Sequence, residues 1–262
     1  MLLQKAAAAG FDRQQIALEL GTVEPVPLQS AAAAESSQAA IDRWSVWAQP
    51  PLLDSTHQPR AWRLDTDAAQ VFEIPALLSR QECAEVMEAI DHGLVPSTVT
   101  RGPSDYRTSR TCHLQGIAPA LTRQLDHRFA DMLGVDPALS EPLQGQRYDP
   151  GEYFKAHTDW FAPGTKEYQL NTQPGGQRTW TIMVYLNSVP LGGETVFERL
   201  GRAFTPVPGL ALAWNNLHPD GSPNHATLHE AMPVEEGRKY VITKWFRAEP
   251  GRVAKTASAP ST

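Results

Sequence analysis

Residues 143–159 read LQGQRYDPGEYFKAHTD. Two short runs, Leu143 to Tyr148 and Tyr153 to His157, are parted by Pro150-Gly151, where proline presets one backbone angle and glycine accepts a positive one. The pattern predicts two strands joined by a turn. It continues toward the C-terminus, with further strands expected at Trp180 to Leu186, Thr195 to Phe197, Ala203 to Pro206, Ala211 to Trp214 and Tyr240 to Phe246. Between them lie Pro174-Gly175-Gly176, Gly192-Gly193, Pro208-Gly209, Pro219-Asp220-Gly221 and Glu236-Gly237. Short strands separated by glycine- and proline-marked turns are the texture of an all-β sandwich or barrel.

Upstream the period changes. Ser79-Arg80-Gln81-Glu82 has the form of a capping box, in which serine accepts from the third amide and glutamate returns to the serine amide. A helix is predicted from there, with Cys83, Val86, Met87 and Ile90 on one face and Gly93 as a left-handed stop. Pro119 opens a second helix with a stripe of Leu121, Leu125, Phe129, Met132 and Leu133, closed by Gly134. Helices followed by strands imply an α+β domain, and the natural candidate is a double-stranded β-helix, or jelly roll, backed by the N-terminal helices. The expected organisation is an appendage or linker over residues 1–65, a domain over 66–249 and a flexible tail over 250–262. Within 1–65, a helix-prone stretch from Met1 to Leu20 precedes a Pro/Ala/Ser-rich one.

The chain of 262 residues has a net charge of -6, so it holds no basic surplus to neutralise a run of phosphates, and nucleic acid is disfavoured as a partner. Its two cysteines, Cys83 and Cys112, belong to no zinc-type cluster and read as free thiols in a reducing compartment. No apolar run approaches the ~20 residues of a membrane span, and no basic segment precedes an apolar one at the start. The expectation is a cytoplasmic protein without a membrane partner; composition does not address oligomeric state.

The chemistry concentrates at the end of the opening stretch. In His157-Thr158-Asp159 a two-residue step puts an imidazole and a carboxylate on one face of an extended chain. The tripeptide alone is a weak signal, since His218-Pro219-Asp220 has the same form inside a turn sequence. A second imidazole could come from His218, His225 or His229. His225 sits in a polar loop sequence, whereas His229 precedes Glu230 to Val234 and a glycine-marked turn into a strand. Two histidines and a carboxylate form the facial triad that leaves adjacent positions open for oxygen chemistry at Fe(II). In isolation, His229 reads equally as a core or loop histidine.

Several blocks in one order resemble the catalytic half of the prolyl 4-hydroxylase family of Fe(II)/2-oxoglutarate-dependent oxygenases. They are Tyr148-Asp149-Pro150-Gly151 leading to His157-Thr158-Asp159, the run Arg178 to Asn187, Gly192-Gly193-Glu194-Thr195-Val196-Phe197, Leu228-His229 with Pro233-Val234, and Gly237-Arg238-Lys239-Tyr240 with Lys244-Trp245. Tyr106-Arg107-Thr108-Ser109 also resembles a family segment ahead of the barrel. The resemblance implies His157, Asp159 and His229 as iron ligands and Lys239 as the cation that pairs with the far carboxylate of 2-oxoglutarate. Read without it, Lys239 would be a surface lysine. By the same resemblance Tyr148, Tyr185 and Thr243 line the cosubstrate pocket, while Arg178, Trp245 and Arg107 lie toward the substrate.

The implied activity is that of a procollagen-proline 4-dioxygenase-like hydroxylase, using Fe(II), 2-oxoglutarate and O2, with ascorbate as reductant, on a prolyl residue of a peptide or protein. Phe154 stands where many members carry tyrosine, and Ser109-Arg110-Thr111 lacks the glycine that often follows the serine. Those departures keep a hydroxylase of free proline or a related amino acid or small molecule as the alternative. A nucleic-acid dealkylase and a non-catalytic cupin-like binding module are the remaining readings. The acidic charge opposes the first, and the joint presence of the triad and Lys239 opposes the second. The loops from Thr100 to Arg110 and Ala162 to Pro174 are expected to close over the substrate.

Overall fold

The computed structural model describes residues 61–97, 106–173 and 175–249. The first sixty residues, the tail after Glu249 and the Thr100–Asp105 part of the first expected loop lie outside them. Fourteen strands occur among the described residues: β1 (Trp62–Arg63), β2 (Val71–Ile74), β3 (Val95–Pro96), β4 (Arg110–His113), β5 (Gln144–Tyr148), β6 (Phe154–His157), β7 (Arg178–Tyr185), β8 (Leu191–Gly192), β9 (Thr195–Phe197), β10 (Arg202–Phe204), β11 (Ala211–Asn215), β12 (His229–Ala231), β13 (Val234–Glu236) and β14 (Lys239–Arg247). The helices are α1 (Arg80–Asp91), α2 (Pro119–Leu133) and α3 (Lys166–Thr172). An eight-stranded sheet in the order β1-β2-β11-β7-β14-β5-β4-β3 faces a four-stranded sheet, β10-β9-β12-β6, and β13 pairs with β8 apart from both. Every pairing is antiparallel. This is the expected jelly roll.

Strand alternation divides the interior in two. Trp180, Ile182 and Val184 of β7, with Ile242 and Phe246 of β14, meet Val86 and Ile90 of α1 and Leu125 and Phe129 of α2 in one core. Met183 and Tyr185 of β7 and Val241 of β14 turn the other way, toward Phe197, Phe204 and Ala231 of the small sheet. The helices thus cover the outer face of the large sheet, and its inner face is left for a cavity between sheets.

Ser79 makes both bonds of the capping box with Glu82, as the sequence predicts. The two helix stops differ. Gly134 ends α2 in the left-handed region at φ 67, but Gly93 follows a right-handed cap at His92 and has no positive φ. Gly93 instead packs closely against a neighbour: a Cβ there would sit 1.9 Å from Ile117 Cδ1, so that side chain would have to move. Three further expectations need correcting. Strands do not simply follow helices, because β1 to β4 precede or interleave with α1 and α2 and complete the edges of the large sheet. The expected domain start at residue 66 falls between β1 and β2, which are paired through Trp62 with Glu73 and Arg63 with Phe72. The segment from Ala162 to Pro174 is not all loop. Thr165 caps α3 by accepting from the Tyr168 amide, and Arg247 donates to the carbonyls of Asn171 and Gly176 at its C-terminal end.

Candidate metal centre and its cavity

His157 closes β6 and His229 opens β12, and antiparallel register sets the two residues directly opposite each other. Asp159 lies in a bend just past β6. The three side chains offer ligand atoms all within 4.8 Å of one another. They form the one such group of three or more among the described residues. His218 and His225 are not in it. Asp220 is instead occupied within its turn, accepting from both the amide and the hydroxyl of Ser222.

The two imidazoles are prepared in the same way. His157 Nδ1 meets the Lys155 carbonyl at 2.8 Å, and His229 Nδ1 meets the Thr227 carbonyl at 2.9 Å. A carbonyl only accepts, so each Nδ1 carries the proton and each Nε2 keeps its lone pair for a metal. The His157 ring is stacked on Phe154 at 3.6 Å, and Trp214 meets the His229 ring edge-on at 4.8 Å. Burial, with His229 close by, pushes the His157 pKa down to about 3, so it stands neutral at physiological pH. Burial acts to raise the Asp159 pKa, but His229, His157, Arg178 and the Thr181 hydroxyl outweigh it and keep the carboxyl below its ordinary value. Two imidazoles whose Nε2 atoms face the same point and one carboxylate are a donor set that suits Fe(II).

The triad opens into a cavity whose wall includes Lys239, Tyr148, Thr195, Gln146, Thr243 and Trp245. Lys239 begins β14 with a relative exposure of 1%. Its ammonium reaches the Thr195 hydroxyl at 3.4 Å and lies over the rings of Tyr148 at 5.3 Å and Tyr185 at 5.4 Å. No carboxylate pairs with it among the described residues. Burial pushes its pKa down to about 7, against a small opposing pull from Glu194. Tyr148 faces the cavity, and the Thr243 hydroxyl donates to Gln146 Oε1 at 3.0 Å on the wall. The indole N–H groups of Trp214 and Trp245, both lining residues, are buried and unpaired. Away from the three metal-facing side chains the wall therefore offers the Lys239 ammonium and the Thr195 and Tyr148 hydroxyls, groups that suit an anion.

Two of the sequence-derived positions do not line this cavity. Tyr185 has the right strand parity, but at the end of β7 its ring reaches across to β10 and its hydroxyl donates to the Phe204 carbonyl. Arg178 is held by Glu141, to which its Nε and Nη2 donate at 2.6 and 2.8 Å, and its guanidinium lies 4.0 Å above the Trp245 ring. It supports the wall from behind. Arg107 and Trp245 do line the cavity, Arg107 with its guanidinium over Phe154 at 4.8 Å. The sequence reading passed over Gln146, Thr195 and Trp214. Thr195 was signalled by its place two residues after a glycine pair, and Trp214 by its place on the inner face of a fully buried strand.

Residues 143–247 match the 2OG-Fe(II) oxygenase superfamily. The prolyl 4-hydroxylase subunit alpha-3 of Bos taurus is 35% identical over 160 residues, which are 60% of this chain and 29% of that protein. The subunit alpha-1 of Gallus gallus is 33% identical over 156 residues, 58% of this chain and 29% of its own length. This chain thus spans less than a third of the curated relatives it matches. Among solved structures, the viral collagen prolyl hydroxylase of Paramecium Bursaria Chlorella virus-1, in its 2OG complex, superposes with a TM-score of 0.52 at 25% identity, covering 68% of this chain and 96% of that one. Its fold is the jelly roll described above, and over residues 143–247 this chain is similar to the 2OG-Fe(II) oxygenases, with prolyl 4-hydroxylase alpha subunits among its relatives.

Proposed function

We propose that the chain is an Fe(II)- and 2-oxoglutarate-dependent dioxygenase that hydroxylates a prolyl residue of a peptide or protein. Lys239 carries this reading. A buried ammonium without a carboxylate partner among the described residues, in the same cavity as two histidines and an aspartate, calls for a ligand with one anionic end and one chelating end. Taking a charge out of water costs several kcal/mol unless a counter-charge meets it, and the far carboxylate of 2-oxoglutarate is such a partner.

His157, Asp159 and His229 would hold the ferrous ion, and Lys239, with the hydroxyls of Thr195 and Tyr148, the far carboxylate. When bound, the iron and 2-oxoglutarate supply oxidative decarboxylation coupled to insertion of one oxygen atom into a C–H bond. The protein's part is to fix three donors, exclude bulk water and place the substrate. Arg107, Phe154 and Trp245 form the part of the wall left for substrate. A prolyl substrate is supported by the likeness to chains named prolyl 4-hydroxylases and collagen prolyl hydroxylase. Phe154 offers no hydroxyl to a peptide, and this favours free proline or a related small molecule as the second reading.

Incubation with Fe(II), 2-oxoglutarate and O2 should add one oxygen atom to proline-rich peptides, with succinate formed in equal amount, as read by mass spectrometry. Oxygen gained only by free proline would select the second reading. A folded, iron-loaded protein that forms no succinate with either would remove both.

A further inference from the structure

Two polar side chains with no part in the reading above stand directly behind the metal cluster. Thr181 on β7 is fully buried, and its hydroxyl donates to Asp159 Oδ2 at 2.7 Å. Asn216, also fully buried, donates from Nδ2 to Thr181 Oγ1 at 2.9 Å. The direction of this relay is forced. An ionised carboxylate only accepts, so the threonine proton must point at Asp159, and the threonine oxygen must then accept from the nitrogen side of the Asn216 amide. With Oδ2 engaged, Oδ1 is the oxygen on the His157 side, 4.0 Å from His157 Nε2.

The same asparagine leads to the second strand of the cluster. The backbone carbonyl of Asn216 accepts from the backbone N–H of Asn224 at 2.9 Å, and the backbone carbonyl of Asn224 accepts from the Thr227 hydroxyl at 2.8 Å. The Thr227 carbonyl in turn accepts from His229 Nδ1 at 2.9 Å. Asn216, Asn224 and Thr227 are all fully buried. One hydrogen-bonded frame therefore touches two of the three metal-facing side chains.

We propose that Thr181 and Asn216 are a positioning pair that holds Asp159 to coordination through one oxygen, and that Asn224 and Thr227 tie His229 to the same frame. A carboxylate free to turn would lose the preset orientation that the other two ligands need beside it and would crowd the positions that a chelating cosubstrate needs. The hydrogen bond from Thr181 makes the second oxygen the costlier ligand, because binding through it would strand a buried hydroxyl and, behind it, an amide. This inference rests on the reading of the cluster as a ferrous centre.

The test is an equilibrium titration of the full chain with Mn(II) alone, following free Mn(II) by EPR, without 2-oxoglutarate. Thr181→Val keeps the shape and removes the donor, and it should weaken Mn(II) binding about 10- to 100-fold with an altered spectrum of the bound ion. Thr181→Ser restores the hydroxyl and should bring affinity and spectrum back near the parent's. Asn216→Leu leaves the threonine donor without its own support and should fall between the two. Thermal unfolding of the metal-free forms separates loss of fold from loss of positioning. If Thr181→Val does not fold, Asn216→Leu carries the test, and parent-like affinity in it overturns the proposal. Equal Mn(II) affinity in parent and Thr181→Val overturns it too, as does a serine variant as weak as the valine one. A parent that binds no Mn(II) removes the ferrous reading and this inference together; a parent that binds, with an unaffected valine variant, removes only the inference.

Discussion

Lys239 and Lys244 leave the same strand on opposite faces, and each has a relative exposure of 1%. Lys244 points to the helix layer, where its ammonium meets Asp126 of α2 at 2.6 Å. Lys239 points to the cavity and, among the described residues, meets a threonine hydroxyl and two tyrosine faces but no carboxylate. Burial pushes both ammonium groups down in pKa, but in Lys244 the bond to Asp126 acts against it. The helix side is thus complete in itself, and the cavity side is complete only with an anion bound. One strand carries a stabilising ion pair and half of a binding site, five residues apart.

The two faces should fail differently. The largest effect expected is on cosubstrate binding: Lys239→Met should weaken 2-oxoglutarate binding by about 100-fold or more, since the far carboxylate would then be buried without its cation. Isothermal titration of the Mn(II)-loaded protein measures this, and an unchanged affinity would break the contrast. Next in size, Lys244→Met should lower unfolding stability by about 2–3 kcal/mol, less than the roughly 3–5 kcal/mol of a fully buried pair, because Asp126 keeps 25% of its side-chain exposure. Urea unfolding of the metal-free form reads it, and a loss of 2-oxoglutarate affinity without a loss of stability would contradict the assignment of that face.

A smaller effect concerns pH. Free Lys239 has its pKa pushed down to about 7, whereas a bound carboxylate holds the proton on. Below pH 7 the ammonium is already present and affinity is full. Above it a proton must be taken up on binding, so affinity should fall by about tenfold per pH unit until the pKa of the bound state is reached. A flat profile from pH 7 to 9 would show that Lys239 does not meet the anion. The smallest effect is on the ligand-free fold: at pH 6, Lys239→Met should raise stability by about 1 kcal/mol, opposite in sign to the change at Lys244.

Much of this was readable from residues alone, and the limits have physical causes. The strands β5, β6, β7, β9, β11 and β14 announce themselves through apolar runs between glycine turns, and α1 through its capping box. The strands β3 and β4 do not, because Val95-Pro96 and Arg110–His113 carry no apolar period and are strands only by pairing with β4 and β5. The convergence of His157 with His229 follows from a register between segments more than seventy residues apart, which no local pattern contains. The family resemblance puts Arg178 toward the substrate; its actual partner, Glu141, lies 37 residues earlier, outside any local pattern. Thr181 and Asn216 left a fainter mark, a threonine within an apolar strand and two adjacent asparagines ending a buried one. Such residues need a buried partner, but the sequence does not say which.

The most direct measurement is an anaerobic titration of the Fe(II)-loaded protein with 2-oxoglutarate, following the weak visible charge-transfer band of the chelate. The parent and Lys244→Met, at a temperature where both are folded, should develop the band at similar concentrations, and Lys239→Met should need about 100-fold more. A folded parent that shows no band, or a Lys239→Met protein that titrates with the parent, would contradict the account.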